Sequence, residues 1–384
     1  MKILNRENWK VPVYVFTENE NIDNDIICQV EALAKSDIPY KHISLMPDFH
    51  QGYSVPIGTV FASENYVFPY AVGVDIGCGV RLNKFNIKTN DIKPYLKEIL
   101  KLIKKEIPAG FEWRKKPVEA EFFKHKIESN FLKNELNDAK LQIGTLGGGN
   151  HFIEFQKDNS DNIYLMIHCG SRNIGKKTAD YYHNIAVKRL SGNNQNLPVL
   201  NKSEEDGINY LKDMNWCLDF AYANRKLIGK IILKIISKFL NNVEIIQEWD
   251  IHHNYACFEK HYGKNLIVHR KGAVKADVSD YVLIPGSMGN ESYFLEGLGF
   301  EKSFKSASHG AGRVLSRNQA KKKFNPKEII KNLEKSNIEI ETKNIKDIAE
   351  ENGEAYKNIK SVLKNEKELV KVKFQLNPIA VFKG

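Results

Sequence analysis

Several absences in the sequence narrow the class of protein before any motif is considered. The chain has 384 residues but only five cysteines, and no two of them form a Cys-x-x-Cys pair. This spacing argues against a zinc finger and against a disulfide framework. No run of about 18 uninterrupted apolar residues is present, so we expect no membrane-spanning helix. The polar N-terminus lacks the apolar block of a signal peptide, and we therefore predict a cytoplasmic protein in a reducing compartment.

The sequence also lacks the phosphate-binding loop Gly-x-x-x-x-Gly-Lys-Ser/Thr, a linker rich in Pro, Gly and Ser, and any internal repeat. Apolar residues make up 42% of the chain, which is ample for a sizeable core. The net charge of +10 fits a polyanionic partner, but it also fits a surface that is simply rich in lysine. Both interpretations remain open at this point.

Hydrophobic periodicity predicts strands mixed with helices. Residues 58–82 are expected to form strands and residues 91–107 an amphipathic helix, while Ser203–Asp206 is a possible capping box before a long helix that reaches Ile235. Further elements are expected as strands at 243–247, 265–269 and 281–285 and as a helix at 325–336. The glycine-rich motifs are scattered along the chain and must converge if they form one site. This predicts a single mixed α/β domain over residues 1–384.

An acid and a thiol stand three residues apart in VDIGCGVR (74–81), each followed closely by glycine. Glycine lets the backbone bend and approach a ligand, so Asp75 and Cys78 are candidates for two ligands on one turn. Polar side chains meet glycine or asparagine in four further stretches, which are LGGGNHFIEF (146–155), MIHCGSRNIG (166–175), WDIHHNYA (249–256) and SASHGAGRVLSR (306–317).

A lone histidine is more often a hydrogen-bonded structural residue than a metal ligand, and His42, His125, His183 and His261 are assigned to that class. Five glycine-containing motifs with thiol, carboxylate and imidazole groups instead indicate a metal centre. Three histidines, a thiol and a carboxylate exceed the four ligands of a structural zinc site. They suit a binuclear centre in which the thiolate bridges two ions.

Basic side chains lie close in sequence to these candidate ligands. Arg172, Arg313 and Arg317 belong to the same motifs, and HRKG (269–272) adds Arg270 and Lys271. Guanidinium groups bind phosphate through paired hydrogen bonds. Metals, arginines and glycine-lined backbone amides together favour phosphoryl or nucleotidyl transfer.

Eight motifs, in their order and spacing, resemble the RtcB family of RNA ligases. They are MPDFHQGYSVPIGTV, VGVDIGCGVRL, LGGGNHFIE, HCGSR, HRKGA, IPGSMG, HGAGRVLSR and the terminal FKG. The resemblance implies an RtcB-like fold with a central β-sandwich-like core flanked by helices. It implies joining of RNA 3′-phosphate or 2′,3′-cyclic phosphate ends to 5′-hydroxyl ends, in RNA repair or tRNA splicing. The expected cofactors are GTP and two Mn²⁺ ions, with a histidine–GMP intermediate.

The resemblance also assigns residues by motif. It makes His309 the guanylylated nucleophile and Cys78 the bridging thiolate. The implied metal ligands are Asp75, Cys78, His151, His168 and His253. The implied GTP-binding residues are Asn150, Glu154, His253, Asn254, Pro285, Gly286, Ser287, Met288, His309, Gly310, Ala311, Gly312, Tyr356 and Lys383. The implied RNA- or phosphate-binding residues are Arg172, Lys271, Arg313 and Arg317. Asp48 and His50 fall in a family motif to which no role is assigned here.

The sequence departs from the family pattern at Ser308, where many members have cysteine, and in the segment 108–123. These departures leave the RNA footprint open. A binuclear metal-dependent phosphodiesterase or phosphatase acting on RNA ends, without a covalent nucleotide, is the alternative function. A non-catalytic RNA-binding protein is a third possibility. Neither the physiological RNA nor an activating partner follows from the sequence.

Overall fold

The computed structural model describes residues 1–18, 22–124, 127–190 and 197–384, which form 18 strands and ten α-helices. In chain order the strands are β1 (Lys2–Leu4), β2 (Val13–Val15), β3 (Ile43–His50), β4 (Ile57–Ser63), β5 (Tyr66–Val67), β6 (Gly79–Lys88), β7 (Phe152–Lys157), β8 (Asn162–Cys169), β9 (Leu200–Asn201), β10 (Ile245–His252), β11 (Asn254–His261), β12 (Lys264–Lys271), β13 (Ala273–Lys275), β14 (Tyr281–Ile284), β15 (Ser292–Gly297), β16 (Ser306–Ser308), β17 (Glu339–Thr342) and β18 (Val370–Lys383). The helices are α1 (Asn24–Ala34), α2 (Pro69–Val72), α3 (Thr89–Ile92), α4 (Leu96–Glu106), α5 (Asn130–Gln142), α6 (Arg172–Leu190), α7 (Glu205–Ile236), α8 (Arg317–Lys323), α9 (Pro326–Lys335) and α10 (Ile359–Lys364).

Two large β-sheets form the centre of the fold. The first has the strand order β1-β2-β3-β4-β12-β11. The second has the order β10-β6-β8-β7-β18-β15-β14, and β17 pairs in parallel with β18. Two short ribbons, β13 with β16 and β5 with β9, complete the described sheet structure. The mixed α/β fold predicted from the sequence is therefore confirmed.

The alternation of side chains along the strands explains why the sheets are layered. In β4, Val60 and Ala62 pack into a core shared with β14 and β15 of the second sheet, whereas Phe61 between them packs beneath α1. The second sheet is covered on its other side by α4 and α7, against Leu165 and Ile167 of β8. Successive residues of a strand point to opposite faces, so each sheet buries both sides. The result is a sandwich-like core flanked by helices.

Most predicted elements are present, but two differ. Residues 66–77 were expected to be a strand and instead form β5, the helix α2 and a turn. Pro69 starts the helix, a position that proline favours, and Gly73 and Gly77 then turn the chain with positive φ values of 103° and 75°. The helix predicted at 91–107 is present but is broken at Lys93–Tyr95, where Pro94 falls in a 3₁₀ turn.

The predicted capping box at Ser203–Asp206 is wrong. Helix α7 begins at Glu205 with Glu204 as its N-cap, and no side chain caps it. The Ser203 amide donates to Asn201 Oδ1 at 3.0 Å, so Ser203 belongs to the preceding turn. His125 lies outside the described residues. Among the helices described, none has the length and apolar character needed to cross a membrane.

Candidate active site

Strand register brings four of the five predicted metal ligands to one end of the second sheet. Cys78 directly precedes β6, and His253 directly follows β10, the antiparallel neighbour of β6. His168 is the penultimate residue of β8, on the other side of β6. His151 directly precedes β7, which pairs with β8. Side chains that are far apart in sequence therefore meet where four adjacent strands end.

The fifth predicted ligand, Asp75, is brought in by a tight turn. The Cys78 amide donates to the Asp75 carbonyl at 3.1 Å, and Gly77 occupies the turn position that requires positive φ. Gly170 provides the space for the carboxylate, because a Cβ at this position would lie 2.3 Å from both carboxylate oxygens of Asp75. The bent backbone thus lets both the acid and the thiol face one cluster.

The donor atoms form two groups that share one thiol. Cys78 Sγ lies 3.2 Å from His151 Nε2 and 3.3 Å from His168 Nε2. His151 Nε2 lies 3.2 Å from Asp75 Oδ2, and His168 Nε2 lies 3.4 Å from His253 Nε2. Each group of three donors, Asp75–Cys78–His151 and Cys78–His168–His253, fits around one ion. A binuclear centre bridged by the Cys78 thiolate stays a prediction, and two donor groups that share this thiol are compatible with it.

The chemistry of these donors supports metal binding. Asp75 Oδ1 is buried without a hydrogen-bond partner, and an unpaired buried oxygen is unfavourable unless a ligand satisfies it. Burial lowers the pKa of His168 and of His253 well below the usual range, so both imidazoles are neutral and keep a lone pair. Burial, with the Asp75 charge, raises the pKa of Cys78 to about 11, so an entering metal ion must displace the thiol proton.

Two consecutive residues of α7, Asn224 and Arg225, form hydrogen bonds with the backbone segments that carry the predicted ligands. Arg225 is fully buried and donates to the Gly77 carbonyl at 2.9 Å and to the Cys169 carbonyl at 2.7 Å. Its charge is balanced by Asp250. Asn224 accepts from the Gly144 amide at 2.7 Å. The pair ties the Asp75–Cys78 turn, the end of β8 and the loop before β7 to one rigid helix.

The predicted nucleophile sits beside this cluster. His309 follows β16, and its ring centre lies 4.7 Å from that of His253. His309 Nδ1 lies 2.6 Å from Asp48 Oδ2, an atom that also accepts from the amides of His309 and Gly310 at 3.0 and 3.2 Å. Burial opposes ionisation of Asp48, but the charge and hydrogen bond of His309, together with the charges of His50 and Lys357, outweigh burial and lower the pKa of Asp48. With Nδ1 against Asp48, Nε2 is the nitrogen left to react.

One cavity of about 1670 Å³ joins the cluster to His309. Small-molecule pockets usually span about 300–1,000 Å³, so this cavity is larger than one small ligand needs. All predicted GTP-binding residues line the cavity, namely Asn150, Glu154, His253, Asn254, Pro285, Gly286, Ser287, Met288, His309, Gly310, Ala311, Gly312, Tyr356 and Lys383. Among the predicted metal ligands, Asp75, Cys78 and His168 also line it.

Several cavity side chains are held by polar partners. Glu154 is buried in β7 beside Gln156, and burial raises the pKa of its carboxyl to about 8. Lys383, at the end of β18, donates to the carbonyls of Gly149 and of His151. Tyr356 donates to Glu351 at 2.5 Å. Hydrogen bonds therefore hold a carboxyl, an ammonium and a phenol group in fixed positions along one side of the cavity.

The predicted phosphate-binding residues differ in position. Arg317 and Lys271 line the cavity, and Lys271 donates to the Tyr53 and Val55 carbonyls. Arg313 also lines it, but its guanidinium donates to Tyr356 at 2.7 Å and pairs with Glu351 at 3.2 Å. Arg172 is not among the lining residues.

Arg172 donates to Thr145 at 2.9 Å and to the Gly110 carbonyl at 2.7 Å. A Cβ on Gly147 would lie 2.6 Å from Arg172 Nη1 and 1.8 Å from His151 Nδ1, so the guanidinium lies near this predicted metal ligand. Arg270, grouped with the phosphate-binding residues by sequence, is instead fully buried and pairs with Glu259 at 2.6 Å. Glu259, on the neighbouring strand β11, therefore neutralises the positive charge of Arg270 in the HRKG motif.

Sequence reasoning missed three supporting residues. Arg225 gave no signal, because it lies inside a regular helical pattern. Glu366 is fully buried and accepts from the Ser308 amide at 2.6 Å, one residue before His309. Lys357 donates to the carbonyls of Pro47 and Phe49, on either side of Asp48. The Asp48 motif was visible in the sequence, but only the fold reveals its contact with His309.

Comparison with known proteins agrees with this geometry. A family profile described as "tRNA-splicing ligase RtcB" matches residues 29–130 and 115–384. The RNA-splicing ligase RtcB of Escherichia coli (strain K12) is 33% identical over 411 residues, covering 100% of this chain and 99% of that protein. The tRNA-splicing ligase RtcB of Nanoarchaeum equitans is 33% identical over 457 residues, covering 97% of this chain and 95% of that protein. RNA-splicing ligase RtcB homolog 1 of Entamoeba histolytica is 30% identical, covering 88% and 80%. The chain therefore belongs to the RtcB family.

Proposed function

We propose that this chain is an RNA ligase that joins a 3′-phosphate or 2′,3′-cyclic phosphate end to a 5′-hydroxyl end, using GTP, Mn²⁺ and a His309–GMP intermediate. Family membership supports the ligase activity, since the curated relatives are named RNA- or tRNA-splicing ligases. The observation that carries the mechanism is the position of His309. Its Nδ1 is fixed by Asp48, and its ring lies beside the paired donor groups in one cavity.

The first step is nucleotidyl transfer to the protein. His309 Nε2 attacks the α-phosphate of GTP, an N–P bond forms, and the P–O bond to pyrophosphate breaks. A neutral imidazole is the reactive form, and the carboxylate of Asp48 stabilises the positive charge that develops on the ring. The covalent intermediate divides one difficult transfer into easier ones.

The later steps seal the RNA. An oxygen of the RNA 3′-phosphate attacks the phosphorus of the His309–GMP adduct, which returns the electron pair to Nε2 and activates the RNA end. The 5′-hydroxyl then attacks the activated phosphate, and GMP leaves as a new phosphodiester forms. A 2′,3′-cyclic end must first be opened by water to a 3′-phosphate.

The metal ions would be held by Asp75, Cys78, His151, His168 and His253. Bound there, Mn²⁺ would neutralise the charge on the phosphate groups. Thiolate is a softer ligand than Mn²⁺ prefers, whereas imidazole and carboxylate suit it, so Zn²⁺ is expected to compete for the same donors. A metal titration with both ions tests this preference directly.

We further propose that residues 1–384 act as one domain and that the protein works in a reducing cytoplasm. All five thiols are free, including the bridging candidate Cys78. The cluster depends on that thiol staying reduced. The expected partners are RNA ends and GTP, and the identity of an activating protein stays open.

Two measurements test the proposed function. Purified protein is incubated with α-labelled GTP and Mn²⁺, and a protein-bound label that is released as GMP by acid is expected, because a phosphoramidate is acid-labile. The same protein is given RNA with 3′-phosphate, 2′,3′-cyclic phosphate or 3′-hydroxyl ends. Sealing of the first two but not of the third is expected. Hydrolysis of the RNA ends without a protein–GMP adduct would instead support the phosphodiesterase or phosphatase alternative.

GTP binding is expected to depend on the protonation of Glu154. Its pKa of about 8 means that the carboxyl is protonated at neutral pH in the free protein. Guanine N1–H and N2–H favour the ionised form, so binding releases a proton and GTP affinity rises with pH until about 8. The slope approaches about 10-fold per pH unit only well below the pKa, so the expected gain in affinity between pH 7.0 and 8.5 is about 8-fold. Isothermal titration between pH 7.0 and 8.5 measures it.

Two controls isolate that carboxyl. Lys271, whose pKa burial lowers to about 7, works in the opposite direction, so the comparison is with Glu154→Gln in the same pH range. The variant should bind GTP more weakly and without the rise. ATP, which lacks the N1 donor, should not bind better as the pH rises. An identical slope in wild type and Glu154→Gln contradicts the assignment.

A further inference from the structure

Two aromatic rings are exposed on the loop between α4 and α5. Phe111 is completely exposed, with a relative accessibility of 103%, and Trp113 is 40% exposed. Both belong to the sequence FEWRKK (111–116), in which Lys115 and Lys116 are exposed as well. Binding residues are found disproportionately on loops that a rigid scaffold positions. The loop belongs to the segment in which this chain departs from the family pattern.

The loop is fixed in place next to the candidate active site. The Glu112 amide donates to the Ala109 carbonyl at 3.1 Å, closing a turn that contains Gly110 at a φ of 64°. Arg114 donates through Nε to the Ile143 carbonyl at 2.9 Å. The Leu146 amide donates to the Pro108 carbonyl at 2.9 Å. The turn that contains both rings is therefore hydrogen-bonded to residues 143–149, which form the loop that leads to His151.

Arg172 joins this loop to the metal ligands. Its guanidinium donates to the Gly110 carbonyl at 2.7 Å, one residue before Phe111. A Cβ on Gly147 would meet both Arg172 Nη1 and His151 Nδ1, so the same guanidinium lies within reach of a metal ligand. Through this one guanidinium, the turn that carries Phe111 adjoins the loop that leads to His151.

The charge around the rings favours a polyanion. Lys115 and Lys116 follow the rings directly. Two acidic side chains of the same loop are paired with lysines, Glu112 with Lys343 at 2.8 Å and Glu119 with Lys140 at 2.9 Å. Proteins that hold single-stranded nucleic acid combine aromatic rings, on which bases stack, with basic groups along the backbone.

We propose that Phe111 and Trp113 form a stacking platform for unpaired bases of the RNA strand whose end lies in the cavity, with Lys115 and Lys116 against its phosphates. This inference rests on the proposed function and names a part of its RNA-binding surface. An unpaired strand is required because bases expose their faces only when they are unstacked. Two rings on a basic turn suit nucleotides better than a second protein chain, because a stable protein interface buries about 800 Å² on each partner.

The test uses the full-length protein and the double variant Phe111→Ala/Trp113→Ala. Fluorescence anisotropy measures the Kd for a labelled single-stranded oligoribonucleotide and for a blunt duplex of the same sequence. We expect the double variant to bind the single strand about 10-fold or more weakly and to bind the duplex nearly as wild type does. The KM for RNA in sealing should rise in parallel, while formation of the GMP adduct stays unchanged.

Matched controls separate stacking from general damage. Phe258 is a half-exposed aromatic residue of β11, outside the cavity lining, and Phe258→Ala should leave both Kd values unchanged. The double variant Phe111→Trp/Trp113→Phe keeps two rings and should retain single-strand binding. Thermal melting should show that all three variants fold.

Three outcomes overturn the inference. These are a wild-type Kd for the single strand in the alanine double variant, an equal loss of single-strand and duplex binding, and a change in oligomeric state by light scattering with RNA binding intact. Failure of the proposed ligase function would give a different set of results from failure of the stacking platform. A protein that neither forms the GMP adduct nor seals RNA, yet loses single-strand binding with the two rings, refutes the ligase and leaves the platform standing.

Discussion

His309→Ala is expected to form no GMP adduct and to seal no RNA, with both rates lowered by at least about 1000-fold. The loss follows from chemistry, because no neighbouring group replaces the Nε2 lone pair. The fold should survive the change. Asp48 keeps the amide donors of residues 309 and 310, so its buried carboxylate remains solvated by the protein. Adduct formation with labelled GTP and sealing of a 3′-phosphate RNA measure the two effects.

The metal content of His309→Ala shows whether the loss of activity comes from the missing nucleophile alone or from a damaged metal site. The variant should bind as much Mn²⁺ as wild type, because His309 is outside both donor groups. His183→Gln serves as the matched control, since His183 stacks on Tyr70 away from the cavity lining and its loss should not affect the adduct. A GMP adduct in His309→Ala would refute the assignment of the nucleophile.

Cys78→Ser is expected to remove both metal ions at once. A serine hydroxyl has nearly the same shape, but it does not ionise at neutral pH and cannot bridge two cations. Each donor group would fall from three protein ligands to two. Metal analysis after dialysis should therefore find less than one ion per chain, and sealing should fall by at least about 1000-fold, since loss of a ligand exceeds the 10–100-fold effects of outer partners.

Two cysteine controls distinguish metal loss from misfolding. Cys217→Ser changes a buried thiol that contacts Thr178, so it should lower the melting temperature without removing metal. Cys28→Ser changes an exposed thiol and should alter neither property. A Cys78→Ser protein that still holds two tightly bound ions would exclude the bridging role.

The sequence predicts the chemical groups of the site better than their surroundings. Asp75 and Cys78 were recognisable because a short turn places both within four residues, and the fold indeed holds them on that turn. The strand predicted over residues 66–77 failed for a related reason. Apolar content alone does not reveal that Pro69 starts a helix and that two glycines turn the chain.

Supporting residues could not be predicted, because their partners are distant in sequence. Arg225 contacts carbonyls at positions 77 and 169, and nothing in its own helix marks it as different from a surface arginine. For Arg270, the sequence suggested a role that the structure does not support. Its glycine-containing motif suggested phosphate binding, but the guanidinium pairs with Glu259 of the neighbouring strand β11. Backbone carbonyls and strand partners become visible only once register is known.

The positions of the predicted metal ligands at strand ends have a consequence for how the chain folds. Ninety residues separate Cys78 from His168, and a further 85 separate His168 from His253. Closing loops of this length costs chain entropy before any ligand pair forms, and contacts of such separation make folding slow. Among the five predicted ligands, only Asp75 and Cys78 lie within four residues of each other along the chain. An ion captured after folding binds the native state alone, and at 100 times its dissociation constant each such ion adds about 2.7 kcal/mol to the free energy of unfolding.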